Sequence, residues 1–241
     1  MRVALITGAA GGIGSATVAR LLAQGYAVVG VDREAAVVPE SERAAHVRGD
    51  VRDQRVLESA VALAVERWGR LDAVVAAAAV IAGGRPLWET PPEEFDDLWE
   101  ADARTVWQTA VAAVPVMLAG PDPSGCRFVA VASAAAHQGL FGLGAYVAAK
   151  HAVVGLVKGL AADLVGTGVT ACAVSPGSTR TPMLDATADI YGLPDAETFA
   201  GHQLLRRLLD PDEVAATLAF CCSREAAVLN GSVVSATGGF S

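Results

Sequence analysis

The chain lacks a basic run, a C-x-x-C pair, an H-E-x-x-H signature and any apolar stretch long enough to cross a bilayer. The first absence argues against nucleic acid: 18 Lys and Arg face 26 Asp and Glu, a formal charge of −8, with no basic footprint. Small anions can still be held locally by backbone donors. Cys126, Cys172, Cys221 and Cys222 show no disulfide-scaffold or zinc spacing, and the 4 histidines are scattered, so a metal-free protein of the cytoplasm is expected. The apolar stretch Val74 to Ala82 is about half the length of a spanning helix. Met1 to Gly8 runs straight into a candidate strand, so no leader segment is expected. Disorder is excluded as well, because only 18% of residues are charged and 53% are apolar.

What is present is enough apolar chain for one full-sized core, so residues 1–241 are expected to form a single domain. Strand-like runs lie at Arg2 to Thr7, Ala27 to Asp32, Ala44 to Arg48, Leu71 to Ala77, Arg127 to Ser133, Val169 to Ser175 and Ser232 to Ser235. Several are apolar on both parities, which suits a parallel sheet covered on both faces. Helical spacing fills the intervals Gly14 to Gln24, Asp53 to Trp68, Pro92 to Leu118, Tyr146 to Leu164 and Asp212 to Cys221. This alternation predicts an α/β, doubly wound Rossmann fold with a seven-stranded parallel sheet and helices on both faces. Residues 182–209 form a long interval without a strand, rich in apolar residues, Gly and Pro; a substrate lid and an ordinary helical connection both fit it.

Behind the first strand stands Thr7-Gly8-Ala9-Ala10-Gly11-Gly12-Ile13-Gly14, leading into a helix. Glycines let backbone amides approach a pyrophosphate, and the helix N-terminus adds free N–H donors and positive dipole. The second strand ends in Asp32, whose carboxylate suits both adenosine ribose hydroxyls and repels a 2′-phosphate. Arg33 beside it is the contrary signal, since a guanidinium binds phosphate. With no basic residue inside the loop, NAD is favoured over NADP.

Tyr146 and Lys150 lie four apart on one helix face, and Ser133 stands at the carboxyl end of a strand, the edge where ligands bind in open α/β sheets. A phenol with an ordinary pKa near ~10 works as an acid or base once a neighbouring cation favours its ionised form.

Together these motifs resemble the classical short-chain dehydrogenase/reductase family, a likeness that covers the whole chain: T-G-x-x-x-G-I-G at Thr7 to Gly14, Asp32, Asp50-Val51, Ser133, Y-x-x-x-K at Tyr146 and Lys150, and Pro176-Gly177 with Thr181. The resemblance implies NAD(P)-dependent hydride transfer at a secondary alcohol or ketone. It implies Tyr146 as general acid/base, Ser133 polarising the carbonyl, and Lys150 holding the nicotinamide ribose and lowering the tyrosine pKa. Cofactor contacts are implied for Gly8, Gly11, Gly12, Ile13, Gly14, Asp32, Arg33, Asp50, Val51, Ala77, Ala78, Tyr146, Lys150, Pro176, Gly177, Thr179 and Thr181. A homotetramer is implied too, with no nucleic-acid or membrane partner.

Three positions depart from the family pattern. Ala76-Ala77-Ala78-Ala79 replaces N-N-A-G, Asp102 falls where a fourth catalytic residue is normally Asn, and Ala236-Thr237-Gly238-Gly239 replaces V-D-G-G. A carboxylate at Asp102 would favour the Lys150 ammonium and strengthen the grip on oxidised NAD. The stretch Val80 to Glu89, with the alanines before it, is similar to a subgroup associated with the redox cofactor mycofactocin, which implies tightly held NAD and an external electron carrier. A second class of function, a catalytically weak NAD-binding sensor or scaffold, is motivated by the missing asparagines; Ser133, Tyr146 and Lys150 argue against it.

Candidate substrate-pocket residues, His137 to Leu143, Met183, Leu184, Tyr191 and Phe199, are mostly apolar, which predicts a hydrophobic alcohol or ketone. His137 reads more simply as a solvent-exposed loop histidine, and His151, next to Lys150 on the helix, as pointing away from the site. Trp68, Trp88, Trp99 and Trp107 read as core or interface residues, and Cys221-Cys222 as buried helix residues.

Overall fold

The computed structural model describes residues 1–35 and 41–240. Seven strands run in chain order: β1 (Val3–Thr7), β2 (Ala27–Asp32), β3 (Ala44–Arg48), β4 (Ala73–Ala76), β5 (Arg127–Val131), β6 (Thr170–Pro176) and β7 (Val233–Ala236). They form one sheet in the order β3-β2-β1-β4-β5-β6-β7, every pair parallel. The order reverses between β1 and β4, and this leaves a crevice at the carboxyl ends of the strands.

Alternation along each strand sorts its side chains to two cores. Val3 and Leu5 of β1 face one side and Ala4 and Ile6 the other, all fully buried. The first side is covered by α2 (Gln54–Trp68), α4 (Thr105–Ala119) and α5 (Gly144–Asp163), through Leu57, Val61, Ala113, Met117, Val153 and Val157. The second is covered by α1 (Gly12–Ala23) and α7 (Pro211–Cys221), through Val18, Leu21, Val214 and Leu218. Double-sided cover explains why the strands read as continuous apolar runs.

Local chemistry sets the helix ends. Asp53 caps α2 by accepting from the Arg55 amide, and Gly69 closes it in the left-handed region at φ 73°. At the start of α7, Asp210 and Glu213 form a capping box.

The predicted helix Pro92 to Leu118 is helical throughout but changes its hydrogen-bonding midway. α3 (Pro92–Leu98) passes into one π-helical turn, Trp99–Arg104, before α4 resumes, and that turn carries Ala101, Asp102 and Ala103 into the interior. Residues 182–209 contain α6 (Pro182–Ile190) and a 3-10 segment, Ala196–His202. Thr181 caps α6 by accepting from the Leu184 amide at 3.3 Å. The chain end returns to this region: the amides of Leu204 and Leu205 donate to the carbonyls of Gly239 and Gly238.

By length and composition, the 20-residue α5 is apolar enough to cross a membrane, which the apolar-run reading did not register. In this fold Val153, Val157 and Ala161 place it against the sheet. Cys221 and Cys222 are buried as expected. Of the tryptophans, Trp68 packs against the core, and Trp88, Trp99 and Trp107 are exposed on this chain.

Candidate active site

The turn after β1 is built on steric grounds. Gly8 has φ +70°, and a Cβ there would lie 2.8 Å from the Ala78 amide nitrogen. Its carbonyl accepts from the Gly11 amide at 3.1 Å and closes the turn. A Cβ on Gly14 would lie 1.9 Å from that same carbonyl oxygen. These glycines bring the N-terminus of α1 to the edge of a cavity of about 570 Å³ at the sheet crevice.

The alanine turn after β4 lacks side-chain amides, but a pin is present: Thr7 Oγ1 accepts from the Ala77 and Ala78 amides at 3.1 and 3.2 Å. Asp32, at the end of β2, accepts from the Ala10 amide at 2.9 Å and the Glu34 amide at 3.1 Å, so its carboxylate is fixed beside the loop. Asp50 is tied to Arg52 at 2.7 Å, and that hydrogen bond holds its carboxyl below the usual range.

Of the expected cofactor residues, Gly8, Gly11, Gly12, Ile13, Gly14, Asp32, Arg33, Asp50, Val51, Ala77, Ala78, Lys150, Pro176, Gly177, Thr179 and Thr181 all line this cavity. Tyr146 does not; it lines a second cavity of about 480 Å³. Ser133, Pro176 and Gly177 line both. Ser133 stands just past β5, where its hydroxyl accepts from the Ala135 amide at 3.1 Å and caps a short 3-10 turn.

Tyr146 and Lys150 are both buried on α5, with the Lys150 Nζ 5.5 Å from the phenol ring centroid. Burial pushes the Tyr146 phenol up; the Lys150 cation opposes this, Asp102 adds to it, and the neighbouring Ser133 hydroxyl opposes it. Asp102 lines neither cavity; its carboxylate lies beside Lys150, where the expected negative charge falls. The wide turn before α4 buries it behind Lys150, where one carboxylate oxygen accepts from the Val80 amide at 2.8 Å and the other lies 3.2 Å from Lys150 Nζ. Burial raises the Asp102 carboxyl, against the pull of Lys150 and Val80. Although burial alone would lower the Lys150 ammonium, the adjacent carboxylate leaves it raised.

The second cavity is mainly apolar. Leu140, Phe141, Leu143, Leu184, Tyr191 and Phe199 line it as expected. Met183 instead lines the first cavity. His137 lines neither and bonds Ser175 Oγ at 3.0 Å; His151 is exposed and bonds its own helix at the Val147 carbonyl. His202 and Phe240 join the lining, and no local motif in the sequence marked them. Four rings run along one wall, Tyr191, Phe199, His202 and Phe240, with successive centroids 6.1, 6.2 and 6.3 Å apart. Across the mouth, the Tyr191 hydroxyl donates to the Phe141 carbonyl at 2.6 Å.

A Rossmann crevice with a glycine-rich turn, joined through a serine to a tyrosine–lysine pair, defines a nucleotide-binding oxidoreductase fold. Residues 8–241 match the family profile described as enoyl-(acyl carrier protein) reductase. Over 249 residues the chain is 35% identical to the A-factor type gamma-butyrolactone 1'-reductase (1S-forming) of Streptomyces virginiae, covering 99% of this chain and 95% of that protein. It is 31% identical to the 3beta-hydroxysteroid dehydrogenase of Mediterraneibacter gnavus, covering 99% and 94%. The 3-ketoacyl-(acyl-carrier-protein) reductase from Brucella melitensis, solved with NADH, superposes with a TM-score of 0.89 at 29% identity, over 99% and 97% of the two chains. The chain belongs to the short-chain dehydrogenase/reductase family.

Proposed function

We propose that the protein is an NAD-dependent oxidoreductase that interconverts a hydrophobic secondary alcohol and its ketone by hydride transfer. The observation that carries this reading is the position of Ser133 at the junction of two cavities, with Lys150 on the glycine-loop side and Tyr146 on the apolar side. A dinucleotide fits the first cavity: the Gly8 and Gly14 approaches leave no room for a side chain, and Asp32 is fixed where a ribose would present its hydroxyls. When bound there, NAD supplies a hydride acceptor. Gly11, Gly12 and the α1 N-terminus would hold its pyrophosphate, Asp32 its adenosine ribose, and Lys150 its nicotinamide ribose.

In the oxidation direction, the ionised Tyr146 phenol takes the hydroxyl proton as the carbon-bound hydride leaves; in reduction the phenol returns it. Ser133 donates to the substrate oxygen and fixes it beside Tyr146. The wall of four rings supports a hydrophobic substrate, and Tyr191 with the 182–209 segment supports a lid over it. We further propose a cytoplasmic homotetramer; the exposed Trp99, Trp107, Val111 and Leu118 along α3–α4 support self-association, and the buried free thiols suit a reducing compartment. Similarity of the alanine run and Val80–Glu89 to the mycofactocin-associated subgroup supports retained NAD with an external carrier.

The test is NADH absorbance on adding a panel of hydrophobic secondary alcohols and ketones, with artificial electron acceptors in parallel. Saturable turnover is expected; nucleotide binding without turnover on any of them identifies a sensor or scaffold instead. Mass spectrometry of the denatured protein checks retention: co-purified NAD supports it, and a cofactor-free preparation that turns over rapidly on free NAD removes the mycofactocin reading.

A further inference from the structure

The Lys150 ammonium is shared unequally. Its Nζ lies 3.2 Å from an Asp102 oxygen and 5.5 Å from the centroid of the Tyr146 ring. Both members of the ion pair are nearly inaccessible, with side-chain exposures of 3% for Lys150 and 0% for Asp102. That Asp102 oxygen has no hydrogen-bond donor of good geometry, so the ammonium is its one electrostatic counterpart among the described residues. Its sister oxygen is anchored by the Val80 amide, which places the carboxylate by backbone rather than by chance rotamer.

We propose that Asp102 is a positioning residue that sets the pH range of proton transfer, by holding the Lys150 ammonium against its own carboxylate and balancing that charge beside the Tyr146 phenol. This rests on the proposed alcohol–ketone chemistry. A lone cation in a dry site favours a neighbouring phenolate, whereas a cation with a carboxylate in contact presents a dipole whose field falls off faster.

The groups facing the phenol are few. Lys150 lies on the same helix, Ser133 comes from the end of β5, and Asp102 comes from the wide turn before α4. Across the second cavity stand Tyr191 and His202. His137, which ends the 3-10 turn packed on α5, is committed to Ser175, and Glu94 of α3 is 3.7 Å from Arg85. Asp102 is therefore the carboxylate that acts on the Tyr146–Lys150 pair, in keeping with the raised phenol and raised ammonium.

The sign follows. Removing the carboxylate charge leaves the ammonium unopposed, favours phenolate and moves Tyr146 ionisation to lower pH. Alcohol oxidation, which needs phenolate, then gains rate on its rising limb; ketone reduction, which needs phenol, loses rate at lower pH than before. Asp102→Asn is nearly isosteric and its amide oxygen can still accept from Val80.

Both pH limbs of kcat/KM should move to lower pH in Asp102→Asn, with oxidation on the rising limb faster by about 3- to 10-fold. A uniform loss of rate with both limbs in place would mean a merely structural role and would overturn the proposal. A second readout needs no turnover: phenolate absorbance against pH, taken as wild type minus Tyr146→Phe. The wild-type step is expected on the alkaline side of neutrality and lower in Asp102→Asn. A wild-type step at or below neutrality overturns the proposal even if the variant fails to fold. If no substrate is turned over but the step behaves as expected, the alcohol–ketone reading fails while the charge balance stands.

Discussion

Gly12 and Thr181 touch in the lining of the first cavity, so closely that a Cβ on Gly12 would lie 2.6 Å from Thr181 Cγ2. The contact joins the start of α1 to the cap of α6, so the glycine loop and the 182–209 segment share one wall. Gly12→Ala should weaken NAD binding by about 10-fold or more, since the loop or the α6 cap must shift. Thr181→Ser removes Cγ2 and keeps the capping hydroxyl, so adding it should restore part of the affinity. Gly14→Ala should not be rescued this way, because its obstacle is the Gly8 carbonyl oxygen. Calorimetric titration of NAD into wild type, both glycine variants and each combined with Thr181→Ser is the check, and equal affinity in wild type and Gly12→Ala would contradict the steric account.

Tyr146→Phe deletes one oxygen from a buried phenol that lines the second cavity and leaves the first untouched. Turnover should fall by roughly two to four decades with NAD affinity nearly unchanged, the scale of a lost general acid/base. Stopped assays beside nucleotide titration separate the two effects, and undiminished turnover would rule out Tyr146 as the proton carrier.

Such assignments were legible because the motifs sit where strands meet helices. β2 and β3 match their predicted bounds, and the glycine turn, Asp32, Ser133 and the tyrosine–lysine pair all fall at the sheet's carboxyl edge. What was not legible depends on distant partners. Asp102 meets Val80 across 22 residues of chain, through a π-helical turn that no local propensity marks. Thr7 as the pin of the alanine turn spans 70 residues, and Phe240 reaches the second cavity by a return of the chain end to Gln203. Periodicity reports which face of an element is apolar; it does not report which loop will meet it.

The Asp32 carboxylate is held at the glycine-loop side of the first cavity by two backbone amides, where the proposed reading seats the adenosine ribose. NADP would bring a phosphate against that carboxylate and leave its ribose acceptors unmatched, which should cost about 2–3 kcal/mol relative to NAD. Parallel titrations decide it. Equal affinities would show that Arg33, which lines the same cavity, dominates the choice.

Asp72 anchors the other end of the sheet. Its carboxylate accepts from the Val3 amide at 2.8 Å and is bracketed by Arg70, with contacts of 2.8 and 2.5 Å, while its side chain is 2% exposed. Asp72→Ala leaves a buried β1 amide and a partly buried guanidinium without their acceptor. Stability should fall by about 2–4 kcal/mol. Urea unfolding measures this, and a change under ~0.5 kcal/mol would mean that water replaces the carboxylate without penalty.

The last prediction concerns the mouth of the second cavity. The Tyr191 ring packs edge-on against Phe199, and its hydroxyl reaches across to the Phe141 carbonyl. Burial raises the Tyr191 phenol, so this bond is made by a neutral donor throughout the physiological range. Tyr191→Phe keeps the ring in the wall and removes only the tie between α6 and the loop before α5. Neither Ser133 nor Tyr146 is disturbed, so the proton-transfer geometry persists while the entrance loosens. A neutral hydrogen bond contributes about 0.5–1.5 kcal/mol net, which corresponds to a KM raised roughly 2- to 10-fold at nearly constant kcat. Tyr191→Ala, which also opens the ring wall, should raise KM further and most for the bulkiest substrates. Steady-state kinetics across an alcohol series of increasing size separate tie from wall. A fall in kcat with KM unchanged in Tyr191→Phe would mean that the tie positions the reacting groups and does not merely close the pocket.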